Sequence, residues 1–232
     1  MKLLIISDIH SNSYYLNRIK DYIEGEKADV IYFIGDAIGI YDDPNSVLNW
    51  LKSINAICIK GNHEKYFLDE IKYKPEMEGI YLVREHRAKI SDENTEFIKS
   101  WSDKIEATIQ DKSFLFVHGD INSSENHIYT PSIELDDNIL KKYDYYIYGN
   151  THIPLIQYHY GCCIINPGSI GQPRDYTATP SYVVINLDLG ETVIRKIPVK
   201  PDDYIKHLEK KLFNKEVINI LKRKVNESAK QS

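Results

Sequence analysis

Cysteine is scarce: three among 232 residues, Cys58 and the adjacent Cys162 and Cys163. The count is odd and the spacing fits no framework. That excludes a disulfide scaffold and a thiolate zinc cage, and it predicts reduced thiols in a cytoplasmic setting. No stretch approaches the ~20 apolar residues of a membrane span. The apolar start, residues 1–6, is too short for a secretory signal and runs into Asp8 and His10, so it predicts a buried first strand. A basic excess is also missing. Lys and Arg number 29 against 34 Asp and Glu, a net charge of −5, which gives no general grip on a nucleic-acid backbone. Repeats and low-complexity linkers are absent. What remains is ordinary globular composition, 42% hydrophobic and 27% charged, in a chain long enough to bury a sizeable core. Tyrosine is in surplus, 18 against 6 Phe and 2 Trp, and reads as amphipathic packing.

Strand-length apolar runs recur at residues 2–7, 30–34, 56–59, 114–117 and 145–148. They are near-continuous, so both faces should be covered. Helical periodicity lies between the early ones. Residues 13–26 carry Tyr15, Leu16, Ile19, Tyr22 and Ile23 on one face; Pro44 opens a second helix through Leu51; Ser91 caps a third with acids in its first turn. The alternation predicts a sheet whose first half is parallel. Four later runs, 155–158, 162–165, 182–187 and 193–197, are joined by Gly, Pro and Asn turns and predict an antiparallel sheet. Two sheets with helices outside give an α/β fold, a four-layer α/β/β/α sandwich of two mixed sheets. One domain over residues 1–232 is expected. A helical extension at about 201–227 would be divided at Asn214, which caps its second helix.

The informative pattern lies at the strand ends. Five strands run into Asp8-Ile9-His10, Gly35-Asp36, Gly61-Asn62-His63-Glu64, His118-Gly119-Asp120 and Gly149-Asn150-Thr151-His152. Ligands of open α/β sheets bind beyond the carboxyl ends of the strands, so side chains distant in sequence can converge there. Carboxylate, imidazole and amide oxygen without thiolate suit Mn²⁺, Fe, Zn²⁺ or Ni²⁺. Donors suffice for two ions about 3.5–4 Å apart under a bridging carboxylate, which can generate a hydroxide and clamp both oxygens of a phosphoryl displacement. Singly, each motif is a turn or a helix cap. Together, each directly after an apolar strand, they argue for a site.

These blocks resemble, in order and spacing from residue 1 to 152, the five signature blocks of the calcineurin-like metallophosphoesterases. Asp8 to Asn12, Gly35 to Tyr41, Asp43-Pro44-Asn45 and Asn166 to Asp175 are similar to the small prokaryotic branch of YfcE-like phosphodiesterases and diadenosine-tetraphosphatase-like proteins. The resemblance implies that Asp8, His10 and His152 hold one metal, that Asn62 and His118 hold a second, and that Asp36 bridges. It implies His63 as general acid for the leaving oxygen, or as donor to a phosphoryl oxygen, roles that suit an imidazole beside cations and a phosphate. The family usually has His, a ligand of the second metal, where this chain has Asn150. An amide oxygen is a harder, weaker donor, so a weaker second site, or one preferring Mn²⁺ or Mg²⁺ to Zn²⁺, is expected. Two divalent cations are the implied cofactor, Mn²⁺ first, with Fe, Ni, Zn or Mg as alternatives.

Substrate contacts are assigned to Arg174 for phosphate, Asn12 for a ligand or phosphoryl oxygen, and Tyr41 for stacking. Each has a structural alternative: an Arg174–Asp175 ion pair, a helix cap and core packing. His127 could join a lid, Asp120 could orient a ligand or cap its loop, and His86, His159 and His207 take no role. The expectation is a cytoplasmic phosphoesterase acting through a metal-bridging hydroxide on phosphodiesters or nucleotide phosphoanhydrides. Its partner is a small phosphoester or nucleotide, without stable nucleic-acid or membrane association. The Lys-rich C-terminal helices would dock on the body or make a homodimer contact. Two readings stand beside this one. One is a phosphomonoesterase or protein phosphatase, whose block Gly61 to Glu64 also resembles. The other is a catalytically weakened metal-binding scaffold for another protein, favoured by Asn150 and opposed by His63 and the retained ligands.

Overall fold

A computed structural model describes residues 1–175, 177 and 179–223. Its frame is two five-stranded mixed sheets, as expected. In the first, β1 (Lys2–Ile6), β2 (Val30–Phe33) and β3 (Ile57–Cys58) run parallel, with Ile5 opposite Tyr32 and Phe33 opposite Cys58. In the second, β4 (Ile105–Ile109) and β5 (Lys112–Phe116) form an edge hairpin. Next to β5 lies β6 (Tyr145–Ile147), then β8 (Cys162–Asn166), and β7 (Leu155–His159) closes the other edge. β5, β6 and β8 are parallel to one another. The last hairpin, β9 (Ser181–Asn186) and β10 (Glu191–Lys196), adds to the free side of β1, with β9 antiparallel to it.

The expectation of one antiparallel sheet from the four late strands is corrected here. Both hairpins are antiparallel, but they join different sheets. A short turn fixes the partner within a hairpin and carries no information about which open edge receives it. β8 is buried along its whole length because it lies between β6 and β7, and β9 is buried from Ser181 to Ile185 because it lies between β1 and β10. β4 also escaped the reading of apolar runs, because its residues alternate between half-buried and exposed as an edge strand should.

Alternation along the strands creates the layers. Leu3 and Ile5 of β1, Phe114 and Phe116 of β5, Cys163 and Ile165 of β8, and Val183 and Ile185 of β9 face one another between the sheets. Leu4 and Ile6 face outward onto α1 (Ser13–Gly25) and α2 (Pro44–Ser53), through Leu16, Ile19, Val47, Leu48 and Leu51. Leu115, Tyr146, Cys162 and Ile164 face the other way with Ile128 and Leu140. Cys162 and Cys163 therefore sit on opposite faces of β8, and all three thiols are free and buried. Short helices α3 (Asn62–Phe67), α4 (Glu78–Tyr81) and α5 (Val83–Lys89) follow β3. α6 (Asp92–Lys99) starts at its Ser91 cap, and α7 (Pro131–Glu134) and α8 (Asp137–Leu140) precede β6.

The C-terminal helices are α9 (Asp202–Lys210) and α10 (Lys215–Leu221), and the Asn214 side chain caps the second by accepting from Glu216 N–H. Residues 224–227 of the expected extension lie outside the described residues. Tyr204, Leu208, Val217, Ile218 and Leu221 pack onto Tyr15, Ile40 and Tyr41, so the helical pair is docked on the body. No described helix is long and apolar enough to cross a membrane.

Phe116 is fully buried between the sheets and stacks on Tyr32 at 4.2 Å between ring centroids. Truncating a buried Phe removes transfer energy and leaves a cavity, about 3–5 kcal/mol together. Phe116→Ala should reduce the unfolding free energy in urea by that amount, lowering the midpoint with an unchanged slope.

Candidate metal centre

Both sheets turn the carboxyl ends of their parallel strands toward one rim, and the five loops meet there. The backbone that makes this possible is unusual. Asp8, His10, Asp36, Asn150 and His152 all have φ between 51° and 64°. This left-handed conformation costs an L-residue roughly 1–2 kcal/mol, and clusters of it mark sites where surrounding structure over-determines the chain. The compensation is visible. Asp8 N–H donates to Gly35 O (3.0 Å), His10 N–H to Asp36 O (3.0 Å) and Ser11 N–H to Ala37 O (2.8 Å), so the first two loops brace each other. Gly171 N–H and the Ser169 hydroxyl both donate to Asp8 O. Gly61 must lack a side chain, because a Cβ there would lie 2.1 Å from Asp36 Oδ1.

Glu64 is the buried anchor. It accepts from Asp36 N–H (2.8 Å), Ala37 N–H (2.8 Å), Ile38 N–H (3.2 Å) and Gly61 N–H (2.8 Å). The last contact is the reach-back of a helix capping box. The other three tie the Asp36 loop to the start of α3. Burial and the charge of Asp36 push Glu64 up to about 7, against the pull of those backbone donors.

The imidazoles are aimed. His10 Nδ1 donates to Ile38 O (3.2 Å), His118 Nδ1 to Ile34 O (2.6 Å) and His152 Nδ1 to Gln172 O (2.8 Å). Fixing the proton on Nδ1 turns each Nε2 inward as a candidate ligand, the kind of outer support a metal-binding histidine has. His10 Nε2 and His152 Nε2 then stand 3.0 Å apart, and His152 Nε2 lies 3.3 Å from Asp8 Oδ1. His118 Nε2 lies 3.3 Å from Asp36 Oδ2 and 3.2 Å from Asn62 Oδ1. Asp8, His10 and His152 form one candidate ligand group, and two others share Asp36.

These residues fit divalent cations. Both oxygens of Asp8 are buried without a hydrogen-bond partner among the described residues, a large cost for a carboxylate unless a cation balances it. The two facing Nε2 atoms have no proton to share once Nδ1 carries it. Burial, and then the neighbouring His152, hold His10 well below its ordinary value in spite of Asp36. Burial and Arg174 lower His152. Protons therefore compete weakly with a cation at neutral pH. Asp36 is the opposite case. Burial alone would raise it, yet His118, His63 and His10 hold it well below the carboxylate range. Against its own burial, His118 is raised to about 10 by Asp36, so a cation must displace its proton.

The predicted residues divide clearly. Asp36, His10, Asn62, His63, Asn150, His152 and Arg174 line one cavity of about 230 Å³, and Asp8 and His118 lie beneath it within reach of Asp36. Asn150 donates its amide N–H groups to Ser124 O (3.1 Å) and Asn126 O (2.9 Å), so its Oδ1 lone pairs remain available to a cation. Asp120 caps that loop through Asn122 and Ser123 N–H and holds the Asn126 side chain. It thus steadies Asn150 from outside. Arg174 does not pair with Asp175, which binds Lys196. Its guanidinium is braced on Gln172 Oε1 (2.9 and 3.2 Å) at the cavity wall.

Two expected substrate contacts are corrected. Asn12 accepts Tyr15 N–H to cap α1 and donates to Gly171 O, so both ends of its amide are engaged within the fold. Tyr41 is fully buried and packs near Tyr204 behind the site. His127 does line the cavity. Tyr66, Lys74, Met77, Tyr81 and Glu125 line it as well and were not foreseen. Tyr66 had a weak signal, standing one turn after His63 on α3. The others come from segments without a motif.

A family model for the calcineurin-like phosphoesterase superfamily domain matches residues 1–190. The uncharacterized protein MJ0912 of Methanocaldococcus jannaschii is 28% identical over 201 residues, 79% of this chain and 82% of that one. A metallophosphoesterase from Sphaerobacter thermophilus superposes with a TM-score of 0.79 at 20% identity, covering 96% of this chain and 99% of the other. The hypothetical protein PH1004 from Pyrococcus horikoshii OT3 does so with 0.82 at 16%, covering 95% and 97%.

Glu64→Gln keeps the size of the anchor but replaces acceptor oxygen with an N–H₂ group facing backbone donors. A buried polar mismatch costs about 1–3 kcal/mol, and outer supports of metal ligands are worth roughly 10–100-fold in affinity. The variant should be less stable in urea by that amount, and calorimetric affinity for divalent cations should drop by at least about tenfold.

Proposed function

Because the chain belongs to the calcineurin-like phosphoesterase superfamily and is a hydrolase acting on phosphoester bonds, we propose that it cleaves phosphodiesters or nucleotide phosphoanhydrides at a two-cation centre. One observation carries this reading. Carboxylates and Nε2 atoms from five strand ends converge on Asp36 at the floor of a cavity whose wall holds an arginine. Asp8, His10, His152 and Asp36 would hold the first divalent cation. Asp36, Asn62, His118 and Asn150 would hold the second, with Mn²⁺ the ion that best suits two amide oxygens. Bound there, such ions supply Lewis acidity to a phosphoryl oxygen and make water a stronger acid.

The chain's own groups do the rest. Asp36, kept anionic by the surrounding imidazoles, fixes the charge at the floor. Arg174 neutralises non-bridging oxygens: its Nε and one terminal nitrogen are braced on Gln172, and no described residue accepts from Nη1. His63 Nε2 lies 3.9 Å from Asp36 Oδ2 and opens on the cavity. The bond from phosphorus to the leaving oxygen breaks as a water oxygen bonds to phosphorus; the leaving oxygen takes a proton from His63, and the proton the attacking water gives up returns His63, which burial otherwise holds neutral, to its starting state. The substrate class is supported by the resemblance of residues 166–175 to the YfcE-like and diadenosine-tetraphosphatase-like branch. That block reaches the site directly, through Ser169 on Asp8 O, Gln172 O on His152 and Arg174 itself.

Metal-stripped protein should be inert toward bis-p-nitrophenyl phosphate and regain turnover as Mn²⁺ is added. Arg174→Ala should raise KM about tenfold, the loss of one charge-assisted hydrogen bond of roughly 1.5 kcal/mol. Folded protein that gives no turnover with Mn²⁺, Fe²⁺, Ni²⁺, Zn²⁺ or Mg²⁺ would contradict the proposal.

A further inference from the structure

His63 has a buried Nδ1 with no hydrogen-bond partner among the described residues. On the Nδ1 side no hydrogen bond steers the ring, and steric contact must. The ring meets the edge of His10 at 4.8 Å and 73°, and a tilted Tyr81 at 4.5 Å. Its third wall is bare backbone. A Cβ on Gly39 would fall 1.9 Å from His63 Nδ1, so the imidazole rests against the space where a side chain would be. Gly39 has φ +88°, a conformation glycine alone adopts readily. The crevice between His63 and His86, walled by Ile38, Phe67 and Val83, has no room for water.

His86 of α5 holds Gly39 in place. Its Nδ1 accepts Gly39 N–H (3.1 Å), and its Nε2 donates to Tyr41 O (2.8 Å). One neutral imidazole thus spans both ends of the Gly39–Tyr41 turn, with its tautomer set by those two bonds. His86 is fully buried and too far along the chain to belong to any ligand motif. Burial also keeps it neutral, at about 4. The same segment contributes Tyr81 O, which accepts Ile40 N–H at 3.4 Å. Glu64 takes the N–H groups of Asp36, Ala37 and Ile38, and His86 takes the next one in the chain.

We propose that His86 is a positioning residue: through the Gly39 turn it sets the orientation of His63 toward the leaving oxygen. The inference rests on the phosphoesterase reading above, in which His63 assists departure of that oxygen. A slightly displaced ring should still tolerate a leaving group that departs without help and should fail one that needs a proton.

The test compares two diesters, bis-p-nitrophenyl phosphate with a good leaving group and diphenyl phosphate with a poor one, in Mn²⁺-loaded protein. His86→Leu fills the volume and leaves Gly39 N–H and Tyr41 C=O unpaired. It should lower kcat on diphenyl phosphate by at least about tenfold with KM unchanged, within the range general acid catalysis supplies, and on bis-p-nitrophenyl phosphate by much less. His86→Gln, which keeps one donor and one acceptor, should recover most of the loss. In a His63→Ala background, His86→Leu should add nothing further. Equal losses on both diesters, or losses that multiply in the double variant, would overturn the proposal. Imidazole ¹H–¹⁵N spectra of the metal-free protein give a readout that needs no activity. His86→Leu should move the His63 resonances and leave those of His118 and His152 in place, and unmoved His63 resonances would sink the idea. If the native protein hydrolyses neither diester, the phosphoesterase reading is what has failed, and the spectra still decide the positioning.

Discussion

A buried carboxylate that accepts four backbone N–H groups organises this molecule's working end. Glu64 lies on α3, yet three of its partners are on the loop after β2 and one is Gly61. Without it, the N–H groups of Asp36, Ala37 and Ile38 lose their acceptor, and α3 loses its cap. Asp36 belongs to two of the three candidate ligand groups, and Asn62 and His63 open α3 directly. The first loop depends on the second, since Asp8, His10 and Ser11 hydrogen-bond to Gly35, Asp36 and Ala37. Buried unpaired charge is prohibitive, but a carboxylate saturated with N–H donors is stable and stiff. Its rigidity lets side chains from distant segments meet in one fixed arrangement.

Much of this was legible in the sequence because chemistry and topology coincide there. Ligand-type residues directly after apolar strands announce both the strand ends and the rim, and every one of Asp8, His10, Asp36, Asn62, His118, Asn150 and His152 comes to the same place. Helix starts at Pro44, Ser91 and Asn214 were readable for the same local reason. Sheet membership of the two late hairpins was not, because the turn defines the pair, whereas the open edges of β6 and β1 select the sheet. Asn12 and Tyr41 sat beside candidate ligands in sequence and were drawn into the site by that proximity. Asn12 serves the first turn of α1, and Tyr41 is buried in the cluster that α9 covers.

The tyrosine surplus has two meanings. Tyr15, Tyr41, Tyr146, Tyr148 and Tyr182 are core residues, as composition suggested. Tyr66 and Tyr81 instead stand face to face at 5.8 Å and form one side of the cavity beside His63. Tyr66 also bonds Glu125 through its hydroxyl, joining that wall to the loop that steadies Asn150. Composition cannot separate these uses, since an aromatic ring with a polar tip is equally at home in a core and on a cavity wall.

Five candidate ligand positions share the left-handed backbone, and outside glycine that conformation is most readily accepted by Asn, Asp and His. Those three are also the residues able to coordinate a hard or borderline cation here. The alphabet permitted by the backbone and the alphabet required by the chemistry are nearly the same set. Sequence drift at these positions is therefore channelled. An exchange that the chain can fold around tends to be one that still offers a donor atom. Asn150 illustrates it: it differs from the histidine usual in the resembling family, yet stays inside both alphabets. The architecture in this way protects its metal-binding capacity against substitution, and tuning of metal preference becomes the path of least resistance for divergence.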